Sequence, residues 1–244
     1  MDLFVSRLAA WAPGLTREQE WRAWAAAPTA VLGDDKPKPA AVPAMLRRRL
    51  TRWSRMALEV ATSVDEWITA DTPVIFSSRH GDTHCTEALL RSLADGEALS
   101  PTAFSLSVHN AAVGVYTIVR KITAPSLAIA AGRATLPQAW LEAQSWLLTG
   151  TPEVLLVHVD EPLSAFYQPY EDESEMPAAV AMVLQARPSE NAMRTSLRVV
   201  PPQGRCTERS VMMQFLAWWY GPHRSLALDT GQQGWIWERD VELD

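Results

Sequence analysis

Residues 79–85 read Arg79-His80-Gly81-Asp82-Thr83-His84-Cys85, the densest run of reactive side chains in the sequence. His80, Asp82, His84 and Cys85 are potential metal ligands, and imidazole with carboxylate suits zinc or iron. Ligands so close in sequence need a further one from elsewhere to close the shell. The remote options are His109, His158 and Asp160, and nothing in their spacing marks any of them. Ser78, His80 and Asp82 also supply the residue types of a hydrolytic triad. Residues adjacent in sequence rarely meet the geometry of a triad, however, and no Gly-x-Ser-x-Gly elbow is present. The expectation is no metal and no cofactor, with a metal-dependent enzyme using His80, Asp82 and His84 as the alternative.

The elements that would position such a run belong to an ordinary globular chain. Its 244 residues suffice for one large domain or a domain with an appendage. A net charge of −6 argues against nucleic acid as a partner, because phosphate binding needs a basic face. Arg47, Arg48, Arg49 and Arg52 do cluster, either as a solvated helix face or as a docking patch for an acidic partner. Cys85 and Cys206 supply neither a disulfide framework nor a zinc quartet, which fits a reduced, cytoplasmic setting. No apolar run is long enough for membrane insertion. The first apolar segment is broken by Pro13, Arg17, Glu18 and Glu20, so no signal peptide is expected. The 11 tryptophans, several in the last third, suggest large rings that seal a surface.

Apolar patterning predicts strands over 3–12, 72–77, 126–131, 153–159 and 178–185, alternating with helices over 16–26, 43–67, 83–95, 111–121 and 136–148. Thr16 with Gln19 reads as a capping pair, and Asn110 as an N-cap. Residues 33–43 form a charged, Pro-rich loop expected to be mobile. The alternation argues an α/β fold, a central sheet covered on both faces. After residue 186 the character changes. A strand over 196–200, a helix over 207–220 and a hairpin of 225–228 with 234–237 are expected. That helix is apolar around most of its circumference and must be buried. It either covers the face of its own core or docks on a partner.

The order of elements over residues 3–186 resembles the N-terminal half of the β-ketoacyl synthases, a branch of the thiolase-like fold. The landmarks are collinear: FVSRLAAWAPG, PVIFSSRHGD, LSPTAFSLSVHNAAVG, APSLAIAAG and VLLVHVDEP. With the Trp-rich tail, they are similar to the chain-length-factor-like subunits of aryl polyene and xanthomonadin-type pigment pathways. The resemblance implies half of a thiolase-like fold in residues 1–186, with a mixed five-stranded sheet and helices on both faces. Residues 187–244 would be an extension packing on the same domain. It makes the 79–85 run a loop leading to a helix, with Asp82 or Thr83 as N-cap.

Two departures from an active synthase matter. Aligned without gaps, the strand–bend–helix segment places Arg133 at the family's nucleophilic Cys, and a guanidinium cannot attack a thioester. The second half of the family fold, with its paired histidines, has no counterpart here. The resemblance therefore implies a silent subunit paired with an active β-ketoacyl synthase, meeting acyl carrier protein only indirectly. The strand Ser126, Leu127, Ala128, Ile129 and Ala130 would join its counterpart edge to edge. Phe104, Leu106, Val108, His109, Asn110 and Tyr116 would lie near that junction and shape the partner's acyl pocket. A non-catalytic acyl or carrier-protein binding module is the third reading.

Overall fold

The long apolar runs 154–159 and 178–184 are apolar on both faces, and the fold explains why. A computed structural model describes residues 2–204, 206 and 208–240. In chain order it contains β1 (Asp2–Trp11), α1 (Glu18–Ala26), α2 (Ala44–Arg47), α3 (Arg52–Thr62), β2 (Val74–Ser77) and α4 (Thr83–Ala94). Next come α5 (Pro101–Leu106), α6 (Ala111–Arg120), β3 (Ser126–Ile129), α7 (Thr135–Leu148), β4 (Glu153–Asp160) and β5 (Ala178–Gln185). The last are β6 (Met193–Val200), α8 (Val211–Tyr220), β7 (Ser225–Asp229) and β8 (Gly234–Arg239). Along β4, Val154 and Leu156 enter one core, while Leu155 and Val157 enter the other. That period of two, apolar on both sides, is what a sheet sandwiched between helices requires.

The sheet order is β3-β2-β4-β5-β1-β6-β8-β7. Strand β2 runs parallel to β3 and β4, and the remaining pairs are antiparallel. The expected five strands are the first five in this order. The sheet nevertheless has eight strands among the described residues, because β6, β8 and β7 continue it past β1. A bare outer edge on β1 would leave a row of unpaired backbone groups, and β6 satisfies it through pairs such as Asp2 with Ser196.

Helices α1, α7 and α8 cover one face and α3 and α6 the other. The Trp-rich tail belongs to the first. Phe215 of α8 lies 5.6 Å from Trp237 and 6.3 Å from Trp140, and Trp140 meets Trp237 edge-on at 6.0 Å. Trp21 stacks on Tyr220 at 5.5 Å. The tail thus covers the chain's own core.

Three local expectations are corrected. The helix over 43–67 is broken: Thr51 Oγ1 accepts from Ser54 N at 3.2 Å and starts α3 afresh. At α1 the cap is Arg17, and Glu20, not Gln19, accepts from the backbone N–H of Thr16 and Arg17, at 2.8 and 2.9 Å. The Pro-rich loop is stapled to the helices behind it. Arg47 Nη1 donates to Pro39 O at 3.1 Å, Arg52 Nη2 to Gly33 O, and Pro37, Pro39 and Val42 are buried.

Candidate functional site

Strands β2, β3 and β4 are parallel, so their C-terminal ends share one side of the sheet. In open α/β sheets that side is where chemistry is placed. Here β2 delivers Ser77, Ser78 and Arg79, β4 delivers His158 and Asp160, and the bend after β3 delivers Arg133. The acidic loop between β4 and β5 folds over all three.

Arg133 turns onto the acidic loop. Its Nε lies 3.2 Å from Asp172 Oδ2, its Nη2 donates to Asp172 O, and its Nη1 lies 3.8 Å from Glu173. Arg79 grips the same loop from the other strand. Its Nη1 lies 2.8 Å from Asp172 Oδ1 and 2.7 Å from Glu173 Oε1, and its backbone N–H donates to Asp160 at 2.8 Å. Asp172 therefore bridges two guanidinium groups. The Arg79 hydrogen bond, aided by Arg133, holds its carboxyl down at about 2.

The other acids go the opposite way. Burial pushes Glu175 up to about 9, reinforced by the charges of Asp160 and Glu173. Its Oε2 is buried without a hydrogen-bond partner. Burial likewise raises Glu173, against Arg79 and Arg133, and lifts Glu161 to about 7 despite Arg52 at 3.3 Å. The unfolded Glu175 would ionise near 4.5 and the folded one near 9. Stability from this group is thus complete below the first value and is lost as pH rises toward the second. Glu175→Gln should gain on the parent as pH climbs, by roughly 2–4 kcal/mol at pH 8. Urea melts at pH 5 and pH 8 check this; equal differences at both pH values contradict it.

A Ser–His–Asp array does form, but not from the residues adjacent in sequence. Ser77 Oγ lies 2.9 Å from His158 Nδ1, and His158 Nε2 lies 3.0 Å from Asp160 Oδ2. Burial opposes the Asp160 charge, yet His158 and the hydrogen bonds from Ser78 and Arg79 hold its carboxyl below the usual range. Ser77 and His158 are 1% and 3% exposed, which keeps a substrate carbonyl away. The array ties β2 to β4. Sequence spacing could not reveal it, because it depends on the parallel register of Ser77 with His158.

The His80 run does not converge. His80 Nε2 is 3.9 Å from Glu175, Asp82 caps α4 through Cys85 N at 2.9 Å, and His84 Nε2 meets Pro162 O at 3.0 Å. Among the described residues no cluster of three or more His, Cys, Asp or Glu is set to hold a metal.

The residues assigned to an interface divide. Strand β3 is an outer edge, with Ser126 and Ala130 exposed and Leu127, Ala128 and Ile129 half-buried. Phe104 and Val108 are exposed, Leu106 less so. His109 turns inward, with Nε2 2.9 Å from Ser78 O and its ring against Gly81. A Cβ at Gly81 would sit 3.2 Å from that ring, and its φ of +66° favours glycine independently. Asn110 occupies the N-cap of α6 without a side-chain cap bond, at φ −89° and ψ 7° rather than the extended cap conformation. Tyr116 is fully buried, its hydroxyl 2.7 Å from Asp65 and its ring 5.6 Å from Phe76. It braces α6 from inside and cannot touch a partner.

The chain belongs to the β-ketoacyl synthase N-terminal domain family, whose model matches residues 21–238. Among solved structures it is similar to a chain of the ketosynthase (ApeO) in complex with its chain length factor (ApeC) from Xenorhabdus doucetiae. That match has 30% identity and a TM-score of 0.83, covering 98% of this chain and 100% of that one. The ishigamide ketosynthase/chain length factor shares the fold, at 16% identity and a TM-score of 0.67 over 83% of this chain and 68% of that one. So does a β-ketoacyl synthase from Burkholderia phymatum, at 14% identity and a TM-score of 0.61 over 89% and 70%. The comparison with curated proteins returns no match. No helix among the described residues is long and apolar enough to cross a membrane.

Proposed function

We propose that this chain is a chain length factor: a catalytically silent ketosynthase-like subunit that pairs with an active β-ketoacyl synthase and limits its acyl pocket. The observation that carries this reading is Arg133. At the bend where the family places its nucleophile, a guanidinium is committed to Asp172 and Glu173. It neither attacks a thioester nor frees the bend to do so.

The surface supports a partner. Edge strand β3 presents one side of its backbone to solvent. Neither α4 nor α5 has a buried side chain, and Leu90, Leu93, Phe104 and Val108 are 47–60% exposed. Apolar helices left this open are completed by association. The α5 turn then reaches the partner's acyl pocket, where side-chain volume sets how far a chain can grow. Acyl carrier protein meets the pair through the active subunit, and the assembly works in the cytoplasm.

Co-expression with the cognate synthase should give a stable heterodimer on size-exclusion chromatography. Failure to associate, with normal elongation by the synthase alone, ends the proposal. Arg133→Cys should not confer condensing activity on the isolated chain. A thiol there would lack a histidine pair, since His109 is engaged with Ser78 O and His158 with Ser77 and Asp160. Turnover of a malonyl thioester by that variant would contradict the assignment.

A further inference from the structure

Helix α5 has little of its own to hold it. It spans six residues, and none of its side chains is buried. A helix this short is marginal without tertiary support. Ser100 caps its start, accepting from Ala103 N at 3.3 Å, and Cys85 Sγ lies 3.8 Å from Ala103 O, a weak thiol bond. The far end is fastened differently. Successive turns run from α5 into α6, with Ser107 N donating to Phe104 O at 3.2 Å and Ala111 N to Val108 O at 2.9 Å. His109 sits inside that run, and its Nε2 lies 2.9 Å from Ser78 O. A carbonyl only accepts, so Nε2 carries the proton and donates it. The ring packs against Gly81 and lies 6.4 Å from Trp53.

Ser78 is a fixed reference point at the end of the sheet. It is fully buried. Its N–H donates to Ile129 O of β3 at 3.1 Å, and its Oγ donates to Asp160 Oδ1 at 2.8 Å. That Oγ also accepts from Trp53 Nε1 at 3.3 Å and from Gly81 N at 2.9 Å. Ser78 therefore joins β3, α3 and the residue after β2 in one network, and His109 ties the α5 turn to it. Strand β3 is the edge offered to a synthase. The turn carries Phe104 and Val108, both exposed. His109 connects the two, so that the projection of the turn is set relative to β3.

We infer that His109 is a positioning residue for chain-length control: its bond to Ser78 O holds the Phe104–Val108 turn at a fixed distance from β3, and so sets where growth of the partner's acyl chain stops. His109 touches no acyl group itself. The role rests on the pairing with a synthase. A steric stop separates chains that differ by one extension unit only if it is stiff, because a wall free to retreat admits the longer chain. Phe104 and Val108 supply the bulk of the stop, and His109 supplies its stiffness.

The test compares His109→Ala with His109→Gln, whose amide nitrogen stands in for the imidazole Nε2. In the isolated full chain, hydrogen exchange read by mass spectrometry should run about tenfold faster over residues 101–108 in His109→Ala, and near the parent rate in His109→Gln. In purified heterodimers with the cognate synthase, His109→Ala should raise the share of products longer by one or more extension units roughly threefold or more. His109→Gln should keep the parent distribution. A residue that served stability alone would lower the yield without moving that distribution. Parent exchange rates in His109→Ala, faster exchange spread over the whole chain, or an unchanged length distribution from an intact heterodimer each overturn the inference and leave the pairing standing. A parent chain that forms no heterodimer overturns the pairing, and this role with it.

Discussion

Arg79→Met should destabilise the chain by about 3–5 kcal/mol, the largest loss expected from any single change on the C-terminal side of the sheet. The side chain sits within 2.8 Å of Asp172 and 2.7 Å of Glu173, in a site where Glu173 and Glu175 are each 5% exposed at the side chain. Removing the guanidinium leaves the buried Glu173 without its nearest cation, which costs more than the pair itself contributes. Arg133 already acts on both Asp172 and, at 3.8 Å, Glu173, so it is not a spare cation that could replace Arg79. The acid limb should change too. Asp172 titrates at about 2 in the folded chain, below its ordinary 3.8, so its stabilisation is present above pH 4 and is lost as pH falls through 2. In Arg79→Met that limb should flatten. Urea denaturation from pH 2 to pH 8 tests both. A variant within about 1 kcal/mol of the parent at neutral pH would mean that the acidic loop is held by something else.

The second large effect concerns association. Ala128→Pro should weaken heterodimer formation roughly tenfold to a hundredfold while leaving the monomer folded. Strand β3 meets β2 through residues 125, 127 and 129: Val74 N donates to Pro125 O and Ser78 N to Ile129 O, both at 3.1 Å. In a parallel ladder the intervening residues turn their N–H and C=O outward. Ala128 is therefore the middle of the free edge. Proline deletes its N–H and adds bulk on that side only, a substitution an edge strand tolerates. Affinity measured by surface plasmon resonance, beside circular dichroism of the variant alone, separates the two outcomes. Unchanged affinity with an intact fold would move the interface away from β3.

Much of the scaffold is readable without coordinates, and the reasons differ by element. Strands β4 and β5 are continuous apolar runs bounded by acidic and Pro-rich loops, and nothing competes with that signal. Strand β6 is only half legible: Met193, Arg194 and Thr195 show no clean alternation, because Arg194 is exposed and pairs with Asp2. The break before α3 is hidden by the four arginines Arg47, Arg48, Arg49 and Arg52, which read as a helix face. Arg47 and Arg52 are instead bonded to the carbonyls of Pro39 and Gly33. At the site, Arg133 was legible as a misfit for a nucleophile, but its partner was not. Asp172 lies 39 residues from Arg133 and 93 from Arg79, beyond any local pattern. A hint existed in the acidic loop at 171–175, whose charge required a cationic counterpart somewhere in the fold. Tyr116 misled for a simpler reason: a helix shows which residues are apolar, not which face the chain itself covers.

Strand β1 has one further consequence, for the order in which the molecule is made. It precedes the strands it pairs with and sits in the interior of the sheet, with Phe4 opposite Gln185 and Asp2 opposite Ser196. Once β1 is made, a ribosome must still deliver about 180 residues before its first neighbour β5 is available, whereas β2, β3 and β4 close on one another well before. Contacts so distant in sequence are slow to form, because the intervening loop must be closed first. Until then Leu3 and Val5, both buried in the finished fold, travel exposed on the nascent chain. The parallel half, which carries the β3 edge, is complete in sequence before the strands that finish the antiparallel half emerge.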